Sequence, residues 1–336
     1  MKSARFSSAT RVLARTLPVL LAFVACNSEE AGEPVRITVP PGVNFSVILD
    51  TLVERGVVEG PRRFRLYARL KGADRRIRAG DYDLPRGDWN AILESLTTGR
   101  VRTEQVTIPE GFTLGDMVDR IAEVTEGPSE RIREQLSDPS AHERWNVPGP
   151  GLEGYLFPDT YRFARGVDLD VVVDAMVQRY RAAWTPERIA RRDELEMSEA
   201  EVVTLASIIQ AEARKVGEMP TISAVYHNRL RLGYLLQADP TVLYALGGRR
   251  ERLLFAAIDS VADNPYNTYT HGGLPPGPIG APGDLALHAA LYPSDEPYLY
   301  FVARPDGSHL FTNSLEEHNR ARRVARREWD ESNRPR

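Results

Sequence analysis

The stretch LASIIQAEARKV, residues 205–216, decides how the larger part of this chain is read. With about 100° of rotation per residue counted from Val202, Leu205, Ala206, Ile208 and Ile209 gather on one side of a helix. The sequence SEAE, Ser198 to Glu201, supplies a capping box at its start. Glu212 falls inside the apolar stripe, between Leu205 and Ile208. Burial there disfavours the charged carboxylate and raises its pKa, which suits a group that donates a proton near neutral pH during glycosidic bond cleavage. The alternative is a structural ion pair with Arg229 or Arg231, and helix position alone leaves both readings open. Gln210 lies about 160° away and is not placed to share the role of Glu212.

Outward from this helix, residues 168–184 read as another helix, and MPTISAVYHNRLRLG (219–233) as a third, with Ile222, Val225, Tyr226 and Leu230 at core spacing and Gly233 as its stop. Asp239 in LQADPTVLYALG (236–247) either caps the helix beginning at Pro240 or, with Gln237, contacts a ligand. The loop NPYNTYTHGGLPPGPIGAPG (264–283) is dense in Gly and Pro and poor in core residues, the composition of a segment that shapes a site. Tyr266, Tyr269 and Asn267 offer stacking faces and amide hydrogen bonds suited to sugars; the competing reading is a purely structural loop. Strands are expected at 298–303 and 309–313, followed by a charged C-terminal helix.

Towards the N-terminus, residues 37–58 and 106–124 share a pattern of β-branched strand, Pro-x-Gly turn and amphipathic helix, with Ser46 and Thr113 at the expected N-cap positions. A short strand and a helix ending at Gly99 lie between them. The class is therefore α+β: a small α+β module over 35–125, a Pro/Gly/Ser-rich linker over 126–151, a mixed helix and strand domain over 152–325, and a charged tail over 326–336. The first of these domains follows Lys2, Arg5, Arg11 and Arg15, a nine-residue apolar run (Leu17 to Ala25) and a polar tether over 27–34. Such a run is too short to span a bilayer as a helix. With its basic flank it reads as a secretory signal over residues 1–26, and FVAC, Phe23 to Cys26, is similar to a lipobox that would lipidate Cys26. Ordinary cleavage near Ala25 and retention as an uncleaved anchor are the alternatives.

The bulk numbers exclude more than they select. The chain has 336 residues, 42% hydrophobic and 27% charged, and a net charge of −4, so it folds and carries no basic field that calls for nucleic acid. The arginine-rich stretches 61–78 and 320–328 read as solvated helix faces. There is no nucleophile elbow, no phosphate-binding P-loop and no His/Cys metal spacing, so neither a metal nor another cofactor is expected. Carboxylates, Tyr, Asn and His remain to carry chemistry.

Taken together, LEGYLFPDTY (152–161), LASIIQAEA (205–213), YHNRLRLGYLLQADPTVLYALG (226–247), YNTYTHGGLPPGPIGAPG (266–283), YLYFVA (298–303) and HLFTNSLEEHN (309–319) resemble, in order and spacing, the YceG-like family over roughly residues 35–325. The resemblance implies a lytic transglycosylase that cuts MurNAc-β-1,4-GlcNAc bonds within peptidoglycan strands without water and leaves 1,6-anhydro ends. It places the essential glutamate on Glu212. The other acidic position of that motif is Gln210 here, a departure from the family pattern. The resemblance also implies that Glu153, Gln237, Asp239, Tyr266, Asn267 and Tyr269 bind substrate and that residues 35–103 occupy the position of a LysM-like glycan-binding module. Peptidoglycan strands are then the partner, peptidoglycan synthases a further one, and the cell envelope, with membrane attachment through the N-terminal segment, the location. A hydrolase of the same bond and a non-catalytic peptidoglycan-binding scaffold are the competing functions.

Overall fold

A computed structural model describes residues 33–40, 42–99, 102–248 and 255–334. The secretory signal, Cys26 and most of the tether lie outside the described residues. In chain order the first unit comprises β1 (Val35–Val39), α1 (Phe45–Glu54), α2 (Pro61–Leu70), β2 (Gly80–Leu84) and α3 (Trp89–Thr98). The larger body follows with β3 (Thr103–Thr107), α4 (Leu114–Thr125), α5 (Ser129–Leu136), α6 (Ala141–Arg144), β4 (Thr160–Ala164), α7 (Leu169–Ala182), α8 (Pro186–Glu194) and α9 (Glu199–Glu212). It is completed by α10 (Met219–Leu232), α11 (Asp239–Ala245), α12 (Phe255–Ser260), α13 (Asp284–Leu291), β5 (Tyr300–Ala303), β6 (His309–Thr312) and α14 (Leu315–Ser332). The class is α+β, with three separate antiparallel strand pairs among the described residues, β1–β2, β3–β4 and β5–β6.

Two apolar cores organise these elements. The smaller runs from Ile37 to Leu96 and buries Phe64, Tyr82 and Leu96 under α1, α2 and α3. Val106, Ile108 and the apolar face of α4 belong instead to the larger core, because β3 pairs with β4. The division between cores thus falls between α3 and β3, inside the span expected as one module. Residues 126–151, expected as a linker, contribute Ile132, Leu136, Trp145 and Val147 to the larger core, so this Pro/Gly-rich interval is packed structure. Among the described residues neither core has a member, buried or flanking, before Val35.

Local rules account for most helix boundaries. Thr113 and Ser198 each close a full capping box, with Asp116 and Glu201. Gly99 and Gly233 end α3 and α10 at φ 75° and 68°, a left-handed conformation that favours glycine. The N-cap of α1 is Asn44, whose side chain accepts from the Ser46 N–H, so the cap lies two residues before the expected Ser46. Along α1, Ile48, Leu49 and Leu52 face the core while Val47 stays 53% exposed. Within the larger body α9 is the spine, buried from Val202 to Ile209 and packed against α10, α11 and α13. Among the described residues no helix is long and apolar enough to cross a membrane.

Candidate active site

Glu212 is the final residue of α9, beyond the fully buried segment, and is itself half-buried. The chain turns away at Ala213, in extended conformation, so the carboxyl projects from the negative end of the helix dipole. Tyr226 on α10 donates its hydroxyl to Glu212 Oε1 at 2.9 Å. Burial pushes the Glu212 carboxyl up to about 7; the Tyr226 hydrogen bond favours the charged form and opposes the shift, and the charge of Asp239 adds to it. Burial also raises the Tyr226 phenol well above its ordinary range, so it stays a donor.

Neither arginine forms the structural ion pair that helix position left open. Arg229 is buried and gives its Nε to Leu299 O at 2.7 Å and its Nη1 to Leu235 O and Leu236 O at 3.0 and 2.8 Å. Arg231 turns to Asn228 Oδ1 at 3.0 Å. Among the described residues Glu212 is thus held by a hydroxyl and by no cation, the arrangement in which a carboxyl can lose and regain a proton near neutrality.

Asp239 opens α11 without capping it, since no side chain caps that helix. Its Oδ1 accepts the Tyr269 hydroxyl at 2.5 Å instead, which ties the loop 264–283 to the helix. Gln237 is exposed at φ 50°, a left-handed conformation uncommon outside glycine, and its Oε1 lies 3.4 Å from Arg229 Nη1. Asn267 corrects the expectation of a sugar contact. It is fully buried, its amide nitrogen donates to Ile258 O and Val261 O at 2.9 and 3.1 Å, and its oxygen accepts from the Tyr269 N–H at 3.0 Å. Both ends of the amide are occupied by backbone, so Asn267 shapes the loop.

The same loop is clamped to α9 on two sides. Ser207 Oγ accepts from the Ile279 N–H at 3.1 Å, and Gln210 Oε1 accepts from the Gly283 N–H at 3.0 Å. A cleft of about 1040 Å³ runs beside this clamp, lined by Glu153, Gln210, Arg214, Tyr244 and Tyr266 but not by Glu212. Glu153 accepts from the Leu114 N–H at the start of α4 at 3.1 Å and from the Tyr244 hydroxyl at 3.3 Å. Burial raises its carboxyl to about 7. Tyr244 in turn packs on Tyr266 with ring centroids 4.9 Å apart. The expected site residues therefore form two neighbouring groups: Glu212 with Asp239 and Tyr269 on one side of α11, and Glu153 with Tyr266 along the cleft. Among the described residues no group of three His, Cys, Asp or Glu side chains is arranged to hold a metal ion.

The profile of the YceG-like family matches residues 37–324. A Bacillus subtilis (strain 168) protein named endolytic murein transglycosylase is 34% identical over 306 residues, covering 86% of this chain and 84% of that protein. The chain belongs to the YceG-like family. A protein of the same name from Streptococcus pneumoniae serotype 2 (strain D39 / NCTC 7466) is 28% identical over 317 residues, 85% of this chain and 57% of its own length. The crystal structure of a yceG-like protein from Listeria monocytogenes superposes with a TM-score of 0.59 at 31% identity, over 86% of this chain and 99% of that one.

In this YceG-like chain three site residues escaped the sequence reading. Tyr226 sits at core spacing and passed as packing, although a tyrosine on a buried stripe requires a partner for its hydroxyl and that requirement was the available signal. Tyr244 carried no signal of its own, because its partners Glu153 and Tyr266 come from distant segments. Arg229 was weighed only as a partner for Glu212, whereas its planar fork gathers backbone carbonyls.

Proposed function

We propose that this chain is a lytic transglycosylase of peptidoglycan in which Glu212 acts first as acid and then as base. The carrying observation is a half-buried carboxyl, raised to about 7, that is hydrogen-bonded by one tyrosine hydroxyl and, among the described residues, paired with no cation. Protonated Glu212 gives its proton to the glycosidic oxygen while an oxocarbenium-like centre develops at C1 of the muramic acid. The resulting carboxylate, stabilised by the Tyr226 hydroxyl, then takes the proton of the C6 hydroxyl as that oxygen closes on C1. Proton and bonds balance without water, and Glu212 returns to its starting state. This single-carboxylate cycle differs from the paired-carboxylate pattern of most glycosidases. The names of the bacterial relatives support the reaction and the wall as its substrate.

In this reading Gln237, Asp239 and Tyr269 face the bond being cut and Tyr266 receives a sugar ring further along the strand. The first unit serves as a LysM-like glycan-binding module, a reading supported by its β-α-α-β order and its single antiparallel strand pair. The chain works in the cell envelope, attached through its N-terminal segment, where a peptidoglycan synthase would supply new strands.

The test is mass spectrometry of products from uncrosslinked glycan strands, treated with residues 27–336 or with the Glu212→Gln variant. Internal fragments with anhydromuramyl ends, lost in a folded variant, are expected. Reducing ends would assign a hydrolase, and strand binding without cleavage by the unaltered sequence would assign a scaffold.

A further inference from the structure

The outer face of α2 carries a pattern that the catalytic reading does not use. Residues 61–78 hold eight cations and a single carboxylate, Asp74, in a chain whose net charge is −4. Counted from Arg62, Arg69 lies about 20° to one side, and Leu66, Leu70 and Arg63 lie about 40°, 80° and 100° to the other. All five are exposed, Leu66 at 61% and Leu70 at 78%. Two leucines one turn apart therefore stand in water between arginines, where the sequence alone suggested an ordinary solvated face.

The opposite side of the helix is fixed. Phe64 and Ala68 are fully buried, Phe64 meets Trp89 edge-on at 5.6 Å, and the Tyr67 hydroxyl bonds Asn90 on α3. The outer face is thus presented rigidly, and its leucines have no route inward. Arg62, Arg63 and Arg69 enter no ion pair among the described residues, and α2 carries no acidic residue of its own. Exposed leucines flanked by uncompensated arginines match the boundary of a bilayer, where acyl chains lie beneath anionic headgroups.

We infer that the outer face of α2 docks on an anionic phospholipid surface, Leu66 and Leu70 entering the headgroup region while Arg62, Arg63 and Arg69 pair with phosphates. The chain order agrees. About ten residues separate the apolar run ending at Ala25 from β1, and at about 3.5 Å per residue they reach no more than about 35 Å. An anchor in that run would hold the first unit within one bilayer thickness of the surface. This last point rests on the proposed membrane attachment; the face and its test do not, and they are independent of Glu212.

The experiment is co-sedimentation of residues 27–336, which retain every described member of both cores, with vesicles of phosphatidylcholine alone or mixed with phosphatidylglycerol at low salt. Binding is expected to the mixed vesicles only. The double variant Leu66→Ser/Leu70→Ser and the triple variant Arg62→Glu/Arg63→Glu/Arg69→Glu should each weaken it about tenfold or more, with unchanged thermal unfolding. Absence of binding to anionic vesicles, equal binding to neutral ones, or undiminished binding by both variants would overturn the inference. Loss of sacculus binding in the variants, without vesicle binding by the unaltered sequence, would overturn it in favour of a wall contact.

Discussion

The hydroxyl of Tyr226 on α10 donates to Glu212 Oε1, at the end of α9, across 2.9 Å. Burial raises the carboxyl pKa, and this bond opposes that rise. It stabilises the ionised form, so the value of about 7 already includes its lowering effect. Tyr226→Phe should move the Glu212 pKa upward and carry the basic limb of the pH–rate profile with it. A roughly tenfold loss of kcat is expected from the poorer acid step, because a carboxyl of higher pKa gives up its proton less readily. A profile that keeps its midpoint in the variant would show that Glu212 is not the titrating group.

Glu212→Gln should remove at least about a hundredfold of the activity. It should also change how stability depends on pH. A raised carboxyl holds its proton more tightly in the folded state, so its contribution is complete below the unfolded value of 4.5 and is lost as pH rises through about 7. For a single carboxyl the loss is at most about 3 kcal/mol, and solvent reaching a half-buried group reduces it. Urea unfolding of the unaltered sequence and the variant at pH 5 and pH 8 checks the sign: the unaltered sequence should lose more stability on the alkaline side.

Asn267→Ala should destabilise the protein by about 2 to 3 kcal/mol, because Ile258 O and Val261 O would lose a buried donor. Tyr269→Phe, which removes the hydroxyl given to Asp239, should cost about 1 kcal/mol or less. Chemical denaturation orders the two, and the reverse order would assign Asn267 a role outside the fold.

Gly154 has φ 83°, and a Cβ there would lie 2.4 Å from Pro278 Cβ. Gly154→Ala should therefore cost several times more than Gly72→Ala, where φ is also positive at 60° but nothing lies within 4 Å. For Gly72→Ala about 1 kcal/mol is expected. Thermal unfolding of both variants tests whether the loop 264–283 is pressed against the segment carrying Glu153.

Helices and their caps were largely legible in the sequence because both are local. The SEAE box, Thr113, Gly99 and Gly233 stand where periodicity and capping chemistry put them. The order of chain segments in space was less legible. Strand β3 was grouped with the first unit because it neighbours that unit in sequence, yet its partner β4 lies beyond α6. Residues 126–151 read as a linker because Pro and Gly mask the few buried side chains that dock them. Glu212 was singled out because a charge on an apolar stripe contradicts its surroundings. Glu153 was named, but its surroundings depend on Leu114 and Tyr244, 39 and 91 residues away, and no local pattern reports contacts of that range.

The last turn of α9 divides two duties between residues a half-turn apart. Gln210 holds Gly283, while Glu212 meets Tyr226. The helix consequently contains no redundancy. Restoring an acid at position 210 in a chain that has lost Glu212, as in the double variant Gln210→Glu/Glu212→Gln, would set a carboxyl against the end of the loop and leave the Tyr226 side without one. Acidic content in this motif is therefore not interchangeable with acidic position. With Glu212 in its proposed role, a descendant that lost it could not regain activity by placing an acid at position 210.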